Sequence, residues 1–240
     1  MLASLSDAEQ EAFARTFAEE GMVRIPHVIG DEDALALHAM LRQRDDWMQI
    51  FNSGERLFEV SRQGRAEIPA EKQNEIDLAL YAAARNGFQY RFETIRVPDS
   101  RSEREASADS LCKIAQTLST QPVLDILRRI TGSPEVQYAD AQGTAYSPGD
   151  FLTGHDDAVV GKNRRAAYVL SLTPTWRLEW GGLLMMHGKG DEPAQAYMPE
   201  MNLLTLFRVG QLHSVSEVTR AAAYRRYSVT GWLRAESQPE

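Results

Sequence analysis

The chain has a single cysteine, Cys112, among its 240 residues. One cysteine excludes an intrachain disulfide and a cysteine-rich zinc site. Cys112 falls in "SLCKIAQTL", an amphipathic pattern, and reads as a buried structural thiol. Long apolar runs are missing as well, so no membrane-spanning helix is expected. The opening stretch "MLASLSDAEQEAF" turns acidic before an apolar signal segment can form, and the cytoplasm is the expected compartment. Excess positive charge is also lacking, since the formal net charge is −8 at pH 7. That balance argues against a nucleic-acid partner, which needs a basic surface. The pairs Arg164-Arg165 and Arg225-Arg226 are too short to reverse it.

There is no linker rich in proline, glycine or serine, no internal repeat and no low-complexity tract. With 43% hydrophobic and 25% charged residues, the composition is that of an ordinary globular protein. One α+β domain over 1–240 is therefore expected, with a mainly helical support over 1–132 and a β-rich core over 133–235. In the support, "SDAEQEAFARTFAEEG" has Ser6 and Glu9 in capping-box spacing and a glycine stop at Gly21, which predicts a helix. "MVRIPHVI" and "FQYRFETIRV" read as strands. "DEDALALHAMLRQR", "EKQNEIDLALYAAARNG", "ADSLCKIAQTLS" and "PVLDILRRITG" read as helices. The polar, weakly periodic stretch 52–73 reads as a long surface loop or a lid over a pocket. After Gly132 come short strand-like runs separated by turn residues, the texture of an antiparallel sandwich or barrel.

Five histidines limit the metal chemistry available. His27 and His38 sit at a strand end and within a helix, where structural roles suffice. His155 is followed two residues later by Asp157, and strand alternation puts residues i and i+2 on one side while Asp156 faces away. Two such ligands and a later histidine would form a facial 2-His-1-carboxylate set, which leaves coordination positions open on Fe(II). His187 and His213 compete for the third place. His213 is favoured by "RRYSVTGW" downstream, where Arg226, Ser228, Thr230 and Trp232 share one strand face. An arginine beside hydroxyls suits a dicarboxylate, because its planar fork grips a carboxylate through two hydrogen bonds.

Together, "YSPGDFLTGHDD", "RRAAYVLSLTPTWRLEWGGLLMM", "LHSV" and "RRYSVTGW" resemble the Fe(II)/2-oxoglutarate dioxygenases, and within them the prolyl 4-hydroxylase-like group. The resemblance covers about residues 136–234. It implies a double-stranded β-helix (jelly-roll or cupin-like) core, iron held by His155, Asp157 and His213, and 2-oxoglutarate and O2 as co-substrates. Arg226 matches the arginine that binds the distal carboxylate of 2-oxoglutarate, with Ser228 completing an Arg-x-Ser pattern. Tyr146 matches a tyrosine that reaches the co-substrate in several members, though a core aromatic role is equally open. The turn Gly181-Gly182-Leu183 matches a structural feature. One departure is Ser171, where relatives commonly carry a tyrosine. Trp232, Thr230 and Ser171 are candidates for pocket lining. Trp176 and Trp180 suit either substrate contact or packing.

The implied reaction is hydroxylation of an unactivated C–H bond, with a prolyl residue of a protein or peptide as leading substrate. A free amino acid or small metabolite is the rival. Two readings from other classes stand beside it: a zinc-dependent hydrolase or isomerase on a cupin-like barrel, and a non-catalytic barrel that binds a carboxylate. The hydrolase or isomerase does not require Arg226 and Ser228 in register with His213, and the intact metal ligands argue against the non-catalytic barrel.

Overall fold

Ser6 caps the first helix as its spacing with Glu9 predicts. The Glu9 N–H donates to Ser6 Oγ at 3.3 Å, and the Ser6 N–H donates to Glu9 Oε2 at 2.8 Å. The computed structural model describes residues 5–188, 190 and 192–240. Along the chain lie α1 (Asp7–Glu20), β1 (Met22–Pro26), α2 (Asp31–Gln43), β2 (Met48–Ser53), β3 (Arg56–Ser61), α3 (Arg62–Glu67), α4 (Ala70–Ala84) and β4 (Tyr90–Arg96). Then follow α5 (Arg101–Ala106), α6 (Ser110–Leu118), α7 (Gln121–Thr131), β5 (Tyr138–Ala139), β6 (Gln142–Tyr146), β7 (Phe151–His155) and β8 (Arg164–Leu172). The chain ends with β9 (Leu184–Met186), β10 (Gln195–Tyr197), β11 (Met201–Arg208), β12 (His213–Val215) and β13 (Arg226–Arg234).

All strands join one antiparallel sheet, whose main path runs β1-β11-β8-β13-β6-β4-β7-β12-β9-β10. β4 joins its two arms: residues 93–96 pair with β6, while Tyr90 and Arg91 pair with β7. The sheet curls, so that side chains from both arms converge on one internal face. The opposite face of the longer arm is covered by α1, α2, α6 and α7. There Phe17, Leu41, Leu111 and Leu127 pack on Leu170, Leu206 and Val229 in one apolar cluster. The architecture is the expected α+β arrangement of helices outside an antiparallel β-core. The N-terminal 132 residues do more than support it, because they also contribute β1 to β4 to the same sheet.

Residues 52–73 are not a loop. They finish β2, form β3 and α3, and begin α4. The sequence pattern is weak because β3 is an edge strand whose residues are mostly exposed, so neither face demands apolar side chains. α3 is tied to the helix-covered side of β4: Arg62 and Arg65 donate to the buried Glu93 at 2.8 and 3.3 Å. It does not close over the internal face. Cys112 is buried and unpaired, as its pattern predicts.

α7 is the most sharply two-faced of the covering helices, with Val123, Leu124, Ile126, Leu127 and Ile130 all buried. Leu127, 1% exposed, sits in the middle of that stripe. Leu127→Ala removes three carbons from a packed site and is expected to cost about 2–5 kcal/mol of unfolding free energy, read from urea denaturation midpoints.

Candidate active site

β12 pairs with β7 so that His213 stands directly opposite His155. The rings approach to 4.1 Å between centroids. Each ring turns its Nδ1 to the carbonyl two residues upstream: His155 to Thr153 O at 3.0 Å, His213 to Gln211 O at 2.9 Å. A carbonyl only accepts, so Nδ1 carries the proton in both rings and Nε2 presents a lone pair. Both Nε2 atoms face Asp157, whose carboxylate lies 3.5 Å from His155 and 3.4 Å from His213. One ligand atom from each of the three lies within 4.8 Å of the others. Two lone pairs and a carboxylate repel one another unless a cation sits among them, so this donor set fits a metal ion.

Asp157 reaches this position through left-handed backbone, φ 63°, a conformation that costs a non-glycine residue roughly 1–2 kcal/mol. The residue follows the end of β7, and the reversal turns its carboxylate back toward the pair of rings. Burial pushes the Asp157 carboxyl up, and a further proton on either imidazole, carried on the Nε2 that faces the carboxylate, outweighs it and holds the group well below the usual carboxylate range. The side chain is thus an anion, as metal ligation needs. Asp156 is exposed and caps the local turn, accepting from the Ala158 N–H at 3.0 Å. His187 is elsewhere, with Nε2 2.8 Å from Ser214 Oγ. His27 pairs with Asp31 at the surface, and His38 donates from Nδ1 to Leu172 O.

The triad opens into a cavity of about 840 Å³ that Arg226 also lines. Arg226 is 3% exposed and donates from Nη1 to Gly182 O at 3.0 Å. Its Nε is buried without a partner, and no carboxylate pairs with it among the described residues. Burial lowers its pKa from the ordinary guanidinium value, but not enough to discharge an arginine. A buried charge with no counter-ion costs several kcal/mol, so the site fits an anionic group brought from outside. Gly182 must be glycine here: its φ is 62°, and a Cβ would meet the Val218 side chain at 3.0 Å and Trp176 at 3.2 Å.

Around Arg226 the predicted strand face is assembled. Tyr146 is its register partner, with the guanidinium carbon 5.3 Å from the ring centroid, and Tyr146 stacks on Phe92 at 5.0 Å. Ser228, Thr230 and Trp232 line the same cavity. The Ser228 hydroxyl is shared with Thr144 at 2.9 Å. Ser171 is the exception. Ala167 and Val169 of its strand reach the cavity wall, but Ser171, opposite Ser228, is covered and its hydroxyl is left without a partner. Trp176 and Trp180 pack edge to face at 5.4 Å within a cluster that includes Val218 and Tyr146, so they serve packing.

Several lining residues escape the sequence reading. Arg164 lies 3.5 Å over the Trp232 ring and donates to Asp157 O at 3.3 Å. The Arg164 Nε and the Trp232 Nε1 are both buried without partners. Alternation could have separated Arg164 from Arg165, since the neighbour turns outward to Glu135. Thr144 and Gln142 share the face of Tyr146 and were legible by the same period of two. Tyr90 and Phe92 come from β4, more than fifty positions upstream of the triad, and no local signal points to them.

Residues 141–234 match the family model described as the 2OG-Fe(II) oxygenase superfamily. Prolyl 3-hydroxylase sudestada1 of Drosophila melanogaster is 32% identical over 116 residues, covering 43% of this chain and 21% of that protein. Curated relatives of this kind are thus matched over only about a fifth of their length. A Pseudomonas putida prolyl-4-hydroxylase structure superposes with a TM-score of 0.60 at 20% identity, covering 95% of this chain and 100% of that one. A Trichoplax adhaerens prolyl hydroxylase, solved with a hypoxia inducible factor oxygen degradation domain peptide fragment, gives 0.59 at 14% identity, covering 98% and 96%. At these identities the structures establish the shared fold, a double-stranded β-helix.

The donor set makes a direct prediction. Anaerobic titration with Co(II) as a spectroscopic stand-in is expected to give one equivalent of ligand-field absorption, reduced at least 10-fold in affinity by Asp157→Ala and unchanged by His187→Ala. The reverse pattern at His187 and His213 would overturn the ligand assignment. Residues 141–234, which hold the triad and Arg226, are thus the part of the chain that is similar to the 2OG-Fe(II) oxygenase superfamily.

Proposed function

We propose that the chain is an Fe(II)- and 2-oxoglutarate-dependent hydroxylase acting on a prolyl residue of a protein or peptide. The observation that carries this reading is the placement of an acid-free, buried Arg226 in the same cavity as the His155-Asp157-His213 set. His155, Asp157 and His213 would hold the iron. Bound iron, with 2-oxoglutarate and O2, supplies an oxidation in which one oxygen atom enters a C–H bond and 2-oxoglutarate leaves as succinate and CO2. A hydrolase or an isomerase has no use for the arginine.

The protein residues orient and shield. Arg226 receives the distal carboxylate in its fork and replaces the missing counter-ion. Its backbone tie to Gly182 fixes one edge of the guanidinium, so the free edge points at the ligand. Thr144 and Ser228 form a hydroxyl pair on the same wall and can add a donor. Tyr146, Phe92 and Leu152 make that region apolar, which excludes water and strengthens the ion pair. The proton positions of His155 and His213 are set by the Thr153 and Gln211 carbonyls, so both rings keep their lone pairs toward the metal position.

A polypeptide substrate is favoured by the rim. Phe88, Val159 and Leu212 line the cavity yet are 45–50% exposed, which gives an apolar border wide enough for residues flanking a target proline. Arg164 over Trp232 offers a donor for a peptide carbonyl beside a flat apolar ring. The relatives named as prolyl hydroxylases, including the one solved with a peptide, point the same way. The buried, unpaired Cys112 is in keeping with a reducing compartment such as the cytoplasm.

The test is a coupled measurement of succinate and of one-oxygen mass gain on proline-containing peptides, with free proline in parallel. Peptide hydroxylation matched mole for mole by succinate is expected. Arg226→Ala is expected to raise the KM for 2-oxoglutarate about 100-fold, as loss of a buried charge partner does, with little change in peptide KM. Oxidation of free proline alone would replace the peptide reading, and succinate formation absent under every condition would sink the proposal.

A further inference from the structure

A second cavity, of about 580 Å³, opens on the side of the sheet away from the metal cavity. Its wall includes His38 and Arg42 of α2, Arg62 of α3, Arg225 just ahead of β13, and Thr175 and Tyr224 from the adjoining loops. Nothing in the oxidation proposed above uses it. The adjacent residues Arg225 and Arg226 point to opposite faces of one strand, so each serves a different cavity.

The charges around this second cavity do not balance. Glu93, fully buried on β4, accepts from Arg62 at 2.8 Å, Arg225 at 2.9 Å and Arg65 at 3.3 Å. Burial pushes its carboxyl up, and the three guanidiniums outweigh that and hold it ionised. One carboxylate thus answers three arginines. Arg42 adds a fourth guanidinium on the wall, exposed and with no acceptor among the described residues. Of the other nearby acids, Asp46 and Asp109 are engaged by Arg44, and Asp45 acts on Arg62 only at longer range. His38 is disfavoured as a cation, since burial and the nearby Arg42 lower its pKa. In a chain of net charge −8 this is a local reversal of sign built into a concave site.

The cluster is also held in place before any ligand arrives. Arg62 donates a further hydrogen bond to Arg44 O at 2.8 Å and lies over the Trp47 ring. Arginines already ordered lose little side-chain entropy on binding. Guanidiniums approaching from α2, α3 and β13 suit a group with several equivalent oxygens and more than one negative charge. A phosphate answers that description, whereas a monocarboxylate occupies one fork. The volume exceeds what inorganic phosphate fills and lies in the range of small-molecule sites. Tyr224, 52% exposed on the wall, offers a ring for stacking.

We propose that this cavity binds a phosphate-bearing small molecule of about nucleotide size, independently of the metal cavity. The test is calorimetric titration of the full chain with adenosine monophosphate and with pyrophosphate, at fixed ionic strength in chloride, without iron or 2-oxoglutarate. Saturable one-to-one binding is expected for both, with none for adenosine. Arg42→Gln alters an exposed residue outside the Glu93 cluster, so folding is spared, and it is expected to weaken both ligands about 10-fold. Arg226→Gln is expected to leave them unchanged. Absence of saturable binding, wild-type affinity in Arg42→Gln, or loss of binding in Arg226→Gln instead would each overturn the proposal.

Discussion

The pairing of β12 with β7 places His213 opposite His155, and the candidate metal site follows from that one contact. The strands alone would only bring the rings together. It is the pair of upstream carbonyls, Thr153 and Gln211, that accepts from the Nδ1–H groups and leaves both Nε2 atoms facing the Asp157 carboxylate. Asp157 completes the arrangement by accepting a left-handed backbone that a free chain would avoid. Strain and repulsion are therefore concentrated at one point of the sheet, where a bound cation would relieve the repulsion.

Charge is handled differently on the two sides of β13. Arg226 faces inward with no acid near enough to pair among the described residues, while Arg225 faces outward into a cluster in which Glu93 is outnumbered. Arg226 departs from the rule that buried charges come paired, whereas Arg225 is paired but shares its one carboxylate with Arg62 and Arg65. Each points to an anion that the chain itself does not supply. The intervening sheet separates the two, and β4 and β13 contribute to both environments. Glu93 and Phe92, neighbours on β4, divide in the same way as Arg225 and Arg226.

Much of the site was legible because it obeys short-range rules. His155 and Asp157 are two residues apart on a strand end, and Arg226, Ser228, Thr230 and Trp232 repeat with a period of two, so both groupings survive without tertiary information. Arg164 was hidden because a cation after a turn normally faces solvent, and only the approach of Trp232 from β13 gives it a place on the wall. The stretch 52–73 was misread because edge strands carry little alternation. Ser171 was placed on the wall by the resemblance alone; it stands opposite Ser228 but is covered, outside the lining of the cavity.

The sequence by itself determined the helix caps, the strand faces, the capacity of His155, Asp157 and a later histidine to bind a metal, and the resemblance that names the fold. These depend on spacing and on residue chemistry, which are local. The tertiary structure put His213, already favoured over His187 by the sequence, on the strand beside β7. It also decided that Arg226 lacks a counter-ion and that Arg42, Arg62 and Arg225 share one cavity. Those facts depend on residues far apart in the chain, brought together by a curled sheet whose register no single segment encodes.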